Sequence, residues 1–285
     1  MITAGKKDTV QNRIPEKFSL LAGKGEKALV TFITAGDPDL ETTGKLVLTL
    51  EKAGADIIEL GVPYSDPLAD GPIIEQASQR ALRSGTTLKK IFRTVTELRR
   101  ETQIPIILMT YYNPLLRYGL DKVAEDAAIA GVDGFIVPDL PMEESDEFKS
   151  LLKPQGICMI PLVAPTSGPR RIKMIAGNAE GFVYCVSLTG VTGVREGVPD
   201  NLKEFMGMVR EATDTPLAVG FGISNPEQVK VISQYCDAVI VGSALVKTIG
   251  EKGSSPELQN EVFRMTESLK GPLKGSGLDK AAFGR

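Results

Sequence analysis

The sequence predicts an α/β protein, a (β/α)8 TIM barrel with an extra N-terminal helix, on three observations. Short apolar, β-branched runs recur roughly every 25–30 residues, at strand length and between turn signals. Segments with helical spacing of apolar residues lie between these runs. Strand and helix alternate without the long connection that an open, doubly wound sheet needs where its strand order reverses. The length agrees, since a barrel of 285 residues is routinely one domain. Residues 1–285 are therefore expected to form a single barrel domain.

The elements follow in order. Residues 1–27 precede the first strand, and Pro15–Leu21 predicts a short helix that caps the N-terminal end, or bottom, of the barrel. The expected strands are Ala28–Ala35, Ala55–Gly61, Pro105–Tyr112, Val132–Val137, Gly156–Val163, Gly181–Val186, Pro216–Gly220 and Asp237–Val241. Leu46, Leu50 and Ala53 mark one helical face between them, and Leu88, Ile91, Val95 and Leu98 another. Ala53-Gly54-Ala55-Asp56 and Ala130-Gly131-Val132-Asp133 each end a helix with a capping glycine and start the next strand. Ser255-Pro256-Glu257 reads as a helix start, with a capping serine and a proline in the first turn. Residues 270–285, rich in Gly and Lys, are expected to form a loose tail.

Composition excludes several classes of function. A formal charge of −3 and a pI near 5.4 leave no basic stripe for nucleic acid. No apolar run approaches the roughly 18 residues that cross a bilayer, and the N-terminus lacks the apolar core of a signal peptide. Cys158, Cys185 and Cys236 are widely spaced, and their number is odd; they read as buried, reduced thiols of a cytoplasmic protein. The chain contains no histidine. That removes a histidine general base, a Ser-His-Asp triad and histidine-ligated metal, so acid/base work falls to carboxylates, Tyr or Lys.

The most informative residue is Glu59, inside the otherwise apolar strand Asp56–Pro63. A carboxylate rarely enters a buried parallel strand, because losing its hydration is costly unless something compensates. Glu59 alternates with Ile57 and Gly61, so the three share one face. If that face is the barrel interior, desolvation raises the pKa of Glu59. The bland alternative is a structural pairing with a buried Arg or Lys, but no such residue lies in any of the strand cores. The same absence removes a Schiff-base lysine. Eleven positions on, past a Pro/Asp-rich segment, stands Asp70 on a loop. One stiffly held carboxylate with another on a loop is the arrangement of an acid/base pair. Asp66 and Asp70 together could instead hold Mg²⁺, or simply be solvated.

Active sites of such barrels gather at the C-terminal strand ends. The last three βα loops bring Gly190, Gly193, Gly220, Gly222, Gly242 and Ser243 there, in the pattern of a phosphate cradle. The alternative is a set of tight turns. Thr189–Gly197 reads as a lid over the site or as a long loop. Phe32, Tyr111 and Tyr184 at strand ends predict an apolar substrate moiety, with Tyr111 as an aromatic wall.

Several motifs together resemble one family. They are Phe32–Pro38, Glu59–Pro72, Pro138–Pro141 with Glu143-Glu144, Gly190–Gly193 and Gly220–Ser224, and the likeness spans about residues 15–265. On these residues the chain resembles the tryptophan synthase alpha subunits. The resemblance implies a (β/α)8 barrel that cleaves indole-3-glycerol phosphate to indole and glyceraldehyde 3-phosphate without a cofactor. Indole would then pass to a pyridoxal-phosphate beta subunit in an α₂β₂ complex. A free-standing lyase that releases indole is the alternative. The resemblance implies Glu59 as proton shuttle and Asp70 beside the indole N–H. It also implies Phe32 and Tyr111 flanking the ring, Tyr184 beside Glu59, and Thr192 bonding Asp70. Gly193, Gly222, Gly242 and Ser243 would hold phosphate, and the loop of Pro63 and Asp66 would face the beta subunit. The location it implies is the cytoplasm, or the plastid stroma in a photosynthetic eukaryote.

Overall fold

The computed structural model describes residues 12–186, 202–220 and 222–275. Its strands are β1 (Ala28–Thr34), β2 (Ile57–Gly61), β3 (Ile106–Met109), β4 (Gly134–Ile136), β5 (Cys158–Met159), β6 (Leu162–Val163), β7 (Val183–Val186), β8 (Leu217–Gly220) and β9 (Ala238–Val241). All described pairings are parallel, in the order β5-β4-β3-β2-β1-β9-β8-β7-β6.

The two ends of that order meet. Only Ile160 and Pro161 separate β5 from β6 in the chain. The Ile160 N–H donates to the Phe135 carbonyl at 2.9 Å, and the Tyr184 N–H donates to the Pro161 carbonyl at 2.9 Å. The sheet is thus a closed barrel whose fifth strand carries a break. The expected unbroken strand over Gly156–Val163 is corrected here. Pro161 has no N–H to give to a ladder, so pairing shifts from one neighbour to the other at that point.

Each strand reads two ways. Outward residues such as Leu29, Ile33, Ile58 and Leu60 pack against helix residues Leu46, Leu50, Ile91 and Val95. Inward residues Ala28, Val30, Ile57, Ile107, Ile136, Phe182, Ala218 and Ile240 form a separate interior cluster. That cluster is completed from below by Ile14, Phe18 and Leu21 of the helix Arg13–Gly23. The expected N-terminal helix is present, two residues longer at each end than Pro15–Leu21. Asn12 explains its start: its side chain accepts from the Ile14 N–H at 2.9 Å and donates to the Asp133 and Gly156 carbonyls at 2.7 Å.

Aspartates at the strand starts fasten the same end. An Asp56 oxygen accepts from the Leu29 N–H at 2.8 Å and from Lys270 Nζ at 2.8 Å. Asp133 accepts from the Ile106 N–H, Arg99 and Arg13 at 2.8–2.9 Å. Asp237 accepts from the Leu217 N–H and from Arg210. Each aspartate therefore joins its own strand start to that of another strand and to a cation; the charges of Asp56 and Asp133 are buried but compensated. Asp133→Ala is expected to lower stability by about 3–5 kcal/mol, because it leaves cationic groups and a backbone N–H without their acceptor. Urea unfolding followed by circular dichroism checks this.

The C-terminal segment departs from expectation twice. The last long helix runs Leu258–Lys270 and does not begin at Ser255. Ser255 makes the preceding turn, accepting from the Glu257 N–H through its hydroxyl and from the Leu258 N–H through its carbonyl. Nor is the chain loose from residue 270. Lys270 is buried on Asp56, Leu273 is fully buried, and the Lys27 N–H donates to the Leu273 carbonyl at 3.1 Å. Residues 276–285 lie outside the described part.

Candidate active site

Strand register sets the depth of each group. Glu59 lies beside Phe32 on β1 and Ile107 on β3; Gly61, two residues on, lies beside Thr34 and Met109. Parallel strands put all their C-terminal ends at one rim. A cleft there is lined by Phe32, Thr34, Gly61, Asp70, Met109 and Tyr111, among others. Glu59 sits at the level of Phe32, two residues below Gly61 along its strand.

The Glu59 side chain is fully buried, and neither carboxyl oxygen has a hydrogen-bond partner among the described residues. No salt bridge to it forms among the described residues. Burial alone pushes its pKa from 4.5 up to about 8. Among the described residues, no buried Arg or Lys pairs with Glu59. Tyr184 feels Glu59: its pKa is raised well above its usual value, first by burial and then by the Glu59 charge. Tyr184 thus lies within electrostatic reach of Glu59.

Asp70 lies at the rim, half-buried, one residue before Gly71 caps the helix Pro72–Arg83. Its pKa is raised, chiefly by burial and further by the Glu75 charge, while a hydrogen bond from Tyr111 holds it back. The Tyr111 oxygen also accepts from the Ala69 N–H at 2.9 Å. Tyr111 is itself buried, and its own pKa is pushed up to about 12, mainly by burial. Asp66 is exposed and bonded by Ser65 at 2.6 Å. Among the described residues, no cluster of three or more His, Cys, Asp or Glu side chains is arranged to hold a metal. The three thiols are free and buried, and burial raises their pKa values.

Glycines give the aromatic groups their room. A Cβ on Gly61 would come within 2.5 Å of the Phe32 ring, and one on Gly220 within 2.8 Å of the Tyr184 oxygen. A Cβ on Gly242 would also crowd Phe32, at 3.2 Å. Gly242 precedes the helix Ser243–Lys252, whose first amides face the rim, and Gly222 takes the left-handed φ of +58° that favours glycine. Gly222, Gly242 and Ser243 therefore stand at the C-terminal ends of β8 and β9. Thr192, Gly193 and the expected lid Thr189–Gly197 lie outside the described residues.

Sequence reading missed several groups. Thr34 lines the cleft with a buried hydroxyl that has no partner among the described residues. Its signal was present in the alternation of β1, which sets Phe32 and Thr34 on one face. The role of Gly61 and Gly220 as clearance for rings had no local signal, because the clashing side chains come from other strands.

A closed parallel barrel with a buried carboxyl that has no partner among the described residues, and a second carboxylate in a cleft at the C-terminal rim, has the architecture of a barrel enzyme. The comparisons narrow the class. Residues 18–274 match the family model described as tryptophan synthase alpha chain. A tryptophan synthase alpha chain of Geobacter sp. (strain M21) is 53% identical over 266 residues, 93% of this chain and 99% of that one. Another, of Thermoanaerobacter sp. (strain X514), is 51% identical over 259 residues, 91% of this chain and 98% of that one. The crystal structure of the alpha chain from Legionella pneumophila superposes with a TM-score of 0.86 at 34% identity, covering 94% of this chain and 99% of that one. The chain belongs to the tryptophan synthase alpha chain family.

Proposed function

We propose that this chain cleaves indole-3-glycerol phosphate to indole and glyceraldehyde 3-phosphate, with Glu59 as the proton shuttle and Asp70 as the electrostatic partner. The observation that carries the reading is the Glu59 carboxyl, fully buried, with no hydrogen bond or cation among the described residues and with a pKa raised to about 8. Such a group is mostly protonated at neutral pH and still able to release its proton. The bond to indole C3 cannot break while the ring is aromatic. Glu59 gives its proton to C3, and the resulting indolenine cation accepts the bonding electron pair as the carbon–carbon bond breaks. The carbinol hydroxyl becomes the aldehyde and returns its proton to the Glu59 carboxylate, so no cofactor is required of this chain. Asp70, ionised beside the ring N–H, stabilises the cation in place before the reaction begins. Phe32, Tyr111 and Tyr184 would hold the ring, and Thr34 offers a free hydroxyl to the substrate. Gly222, Gly242 and Ser243, with Gly193, would hold the phosphate, and Thr192 would bond Asp70 when substrate is bound.

The partner in this reading is a beta subunit that carries pyridoxal phosphate and takes the indole. The loop between Pro63 and Asp70 suits such a contact, since it presents Leu68 90% exposed. A crystal structure superposing with a TM-score of 0.82 is that of a tryptophan synthase from M. tuberculosis in an aminoacrylate-bound form. Indole formation should be assayed with and without an added beta subunit. Strong activation is the expected result. Full activity of the chain alone, unchanged by the partner, would favour the free-standing lyase, and no indole in either case would overturn the reading.

A further inference from the structure

We propose that Tyr64, seated on Tyr111 and tethered by Asn113, is a positioning residue that fixes the carboxylate of Asp70. The inference rests on the role given above to Asp70. Tyr64 and Asp70 stand at the two ends of one loop, and most residues between them are exposed. A segment of this kind does not hold a carboxylate by packing of its own.

Tyr111 grips both ends of that loop. At the far end its oxygen accepts from the Ala69 N–H at 2.9 Å, one residue before Asp70, and the two side chains line the same cleft. At the near end its ring lies against the ring of Tyr64, with centroids 5.3 Å apart and planes inclined at 34°. Tyr64 is in turn held from the other side, since Asn113 Nδ2 donates to its hydroxyl at 3.0 Å. The base of this arm is stiff, because the Tyr112 N–H donates to the Asp139 carboxylate at 2.9 Å. The chain of contacts therefore runs from Asn113 to Tyr64, from Tyr64 to Tyr111, and from Tyr111 to the backbone of Ala69, next to Asp70. Without Tyr64 the Tyr111 ring loses the wall that fixes its tilt, and the hydroxyl that orients Asp70 is free to swing.

The charged and titratable groups facing Asp70 give this a distinct signature. Burial and Glu75 of the adjoining helix raise the Asp70 pKa, and the Tyr111 hydroxyl opposes them; the Asp139 charge acts on Tyr111. Asp70 must be ionised to stabilise the cation, so activity falls on the acid side of its pKa. Loosening Tyr111 removes the opposing contact and moves that acid limb to higher pH.

The test compares Tyr64→Ala, Tyr64→Phe, Asn113→Ala, Asp70→Asn and the double variant Tyr64→Ala/Asp70→Asn in the full chain. The readouts are kcat, KM and the pH profile of indole formation, with the folded fraction read by circular dichroism. Tyr64→Ala should lower kcat about 10- to 100-fold, the scale of a misplaced catalytic group, and shift the acid limb upward. Tyr64→Phe keeps the ring but loses the Asn113 tether, so it should shift the limb in the same direction by less than Tyr64→Ala. In the double variant the Tyr64 change should add no further loss, because both act through one carboxylate. Should Tyr64→Ala fold poorly, Asn113→Ala at its exposed position should move the limb the same way. An unmoved limb with activity lost only in proportion to folded protein would overturn the proposal, as would losses that multiply in the double variant. If Asp70→Asn itself keeps full turnover, the role of Asp70 fails first. If Asp70→Asn is impaired and both Tyr64→Ala and Asn113→Ala behave as wild type, only the link through Tyr64 fails.

Discussion

Glu59→Gln is expected to abolish indole release while leaving the barrel folded. The amide has nearly the same shape but neither donates a proton to carbon nor accepts one back, so both halves of the cleavage lose their shuttle. General acid/base catalysis typically contributes about 10²–10⁴-fold, and here one group serves two transfers. The same variant should be more stable than the wild type at alkaline pH. A carboxyl whose pKa is 4.5 when unfolded and about 8 when folded binds its proton more tightly in the native state. The wild type is therefore least penalised below about pH 4.5, loses stability as pH rises from there through 8, and stays penalised above. The full penalty is on the order of 3–5 kcal/mol. Denaturant titrations at pH 5 and pH 9 check this: the Gln variant should gain on the wild type between them, and parallel pH dependence of the two would contradict it.

Asp70→Asn should reduce kcat by about 10²–10³-fold, corresponding to roughly 2.7–4 kcal/mol for the loss of one preorganised electrostatic contact. It should leave stability nearly unchanged, because Asp70 is only half-buried at the rim and forms no ion pair among the described residues. The pH profile should separate the two carboxyls. In the wild type an acid limb reports ionisation of Asp70, and an alkaline limb near 8 reports loss of the Glu59 proton. Asp70→Asn should erase the acid limb and keep the alkaline one. Steady-state kinetics across pH 5–9 measures both, and turnover within a few-fold of wild type would remove Asp70 from the chemistry.

The barrel was legible because its signals are local. Alternation along β1 and β2, periodicity in the helices and glycine at Gly54 and Gly131 each follow from a few adjacent residues, and those glycines do take positive φ. The break in the fifth strand was also written locally, in Pro161, but one proline among apolar residues does not say which neighbour each half will pair with. Of the site, Glu59 was legible because a carboxylate in an apolar strand is costly wherever it points. The Phe32 clearance at Gly61 and the Tyr184 clearance at Gly220 were not, because they depend on rings that arrive from neighbouring strands. The link from Tyr64 through Tyr111 to Asp70 joins two loops whose register no local pattern encodes. The aspartates Asp56 and Asp133 were seen only as strand starts, and their partners Lys270, Arg99 and Arg13 come from distant helices.

The central claim is that a carboxyl sealed in the barrel wall titrates near neutrality. Carbon-13 NMR of protein labelled at glutamate Cδ, with the Glu59 resonance assigned by its loss in Glu59→Gln, tests it directly. A midpoint near pH 8, far above the other glutamates, is the predicted result. A midpoint near 4.5 would contradict the account, since a carboxyl already ionised at neutral pH has no proton to give to the substrate carbon.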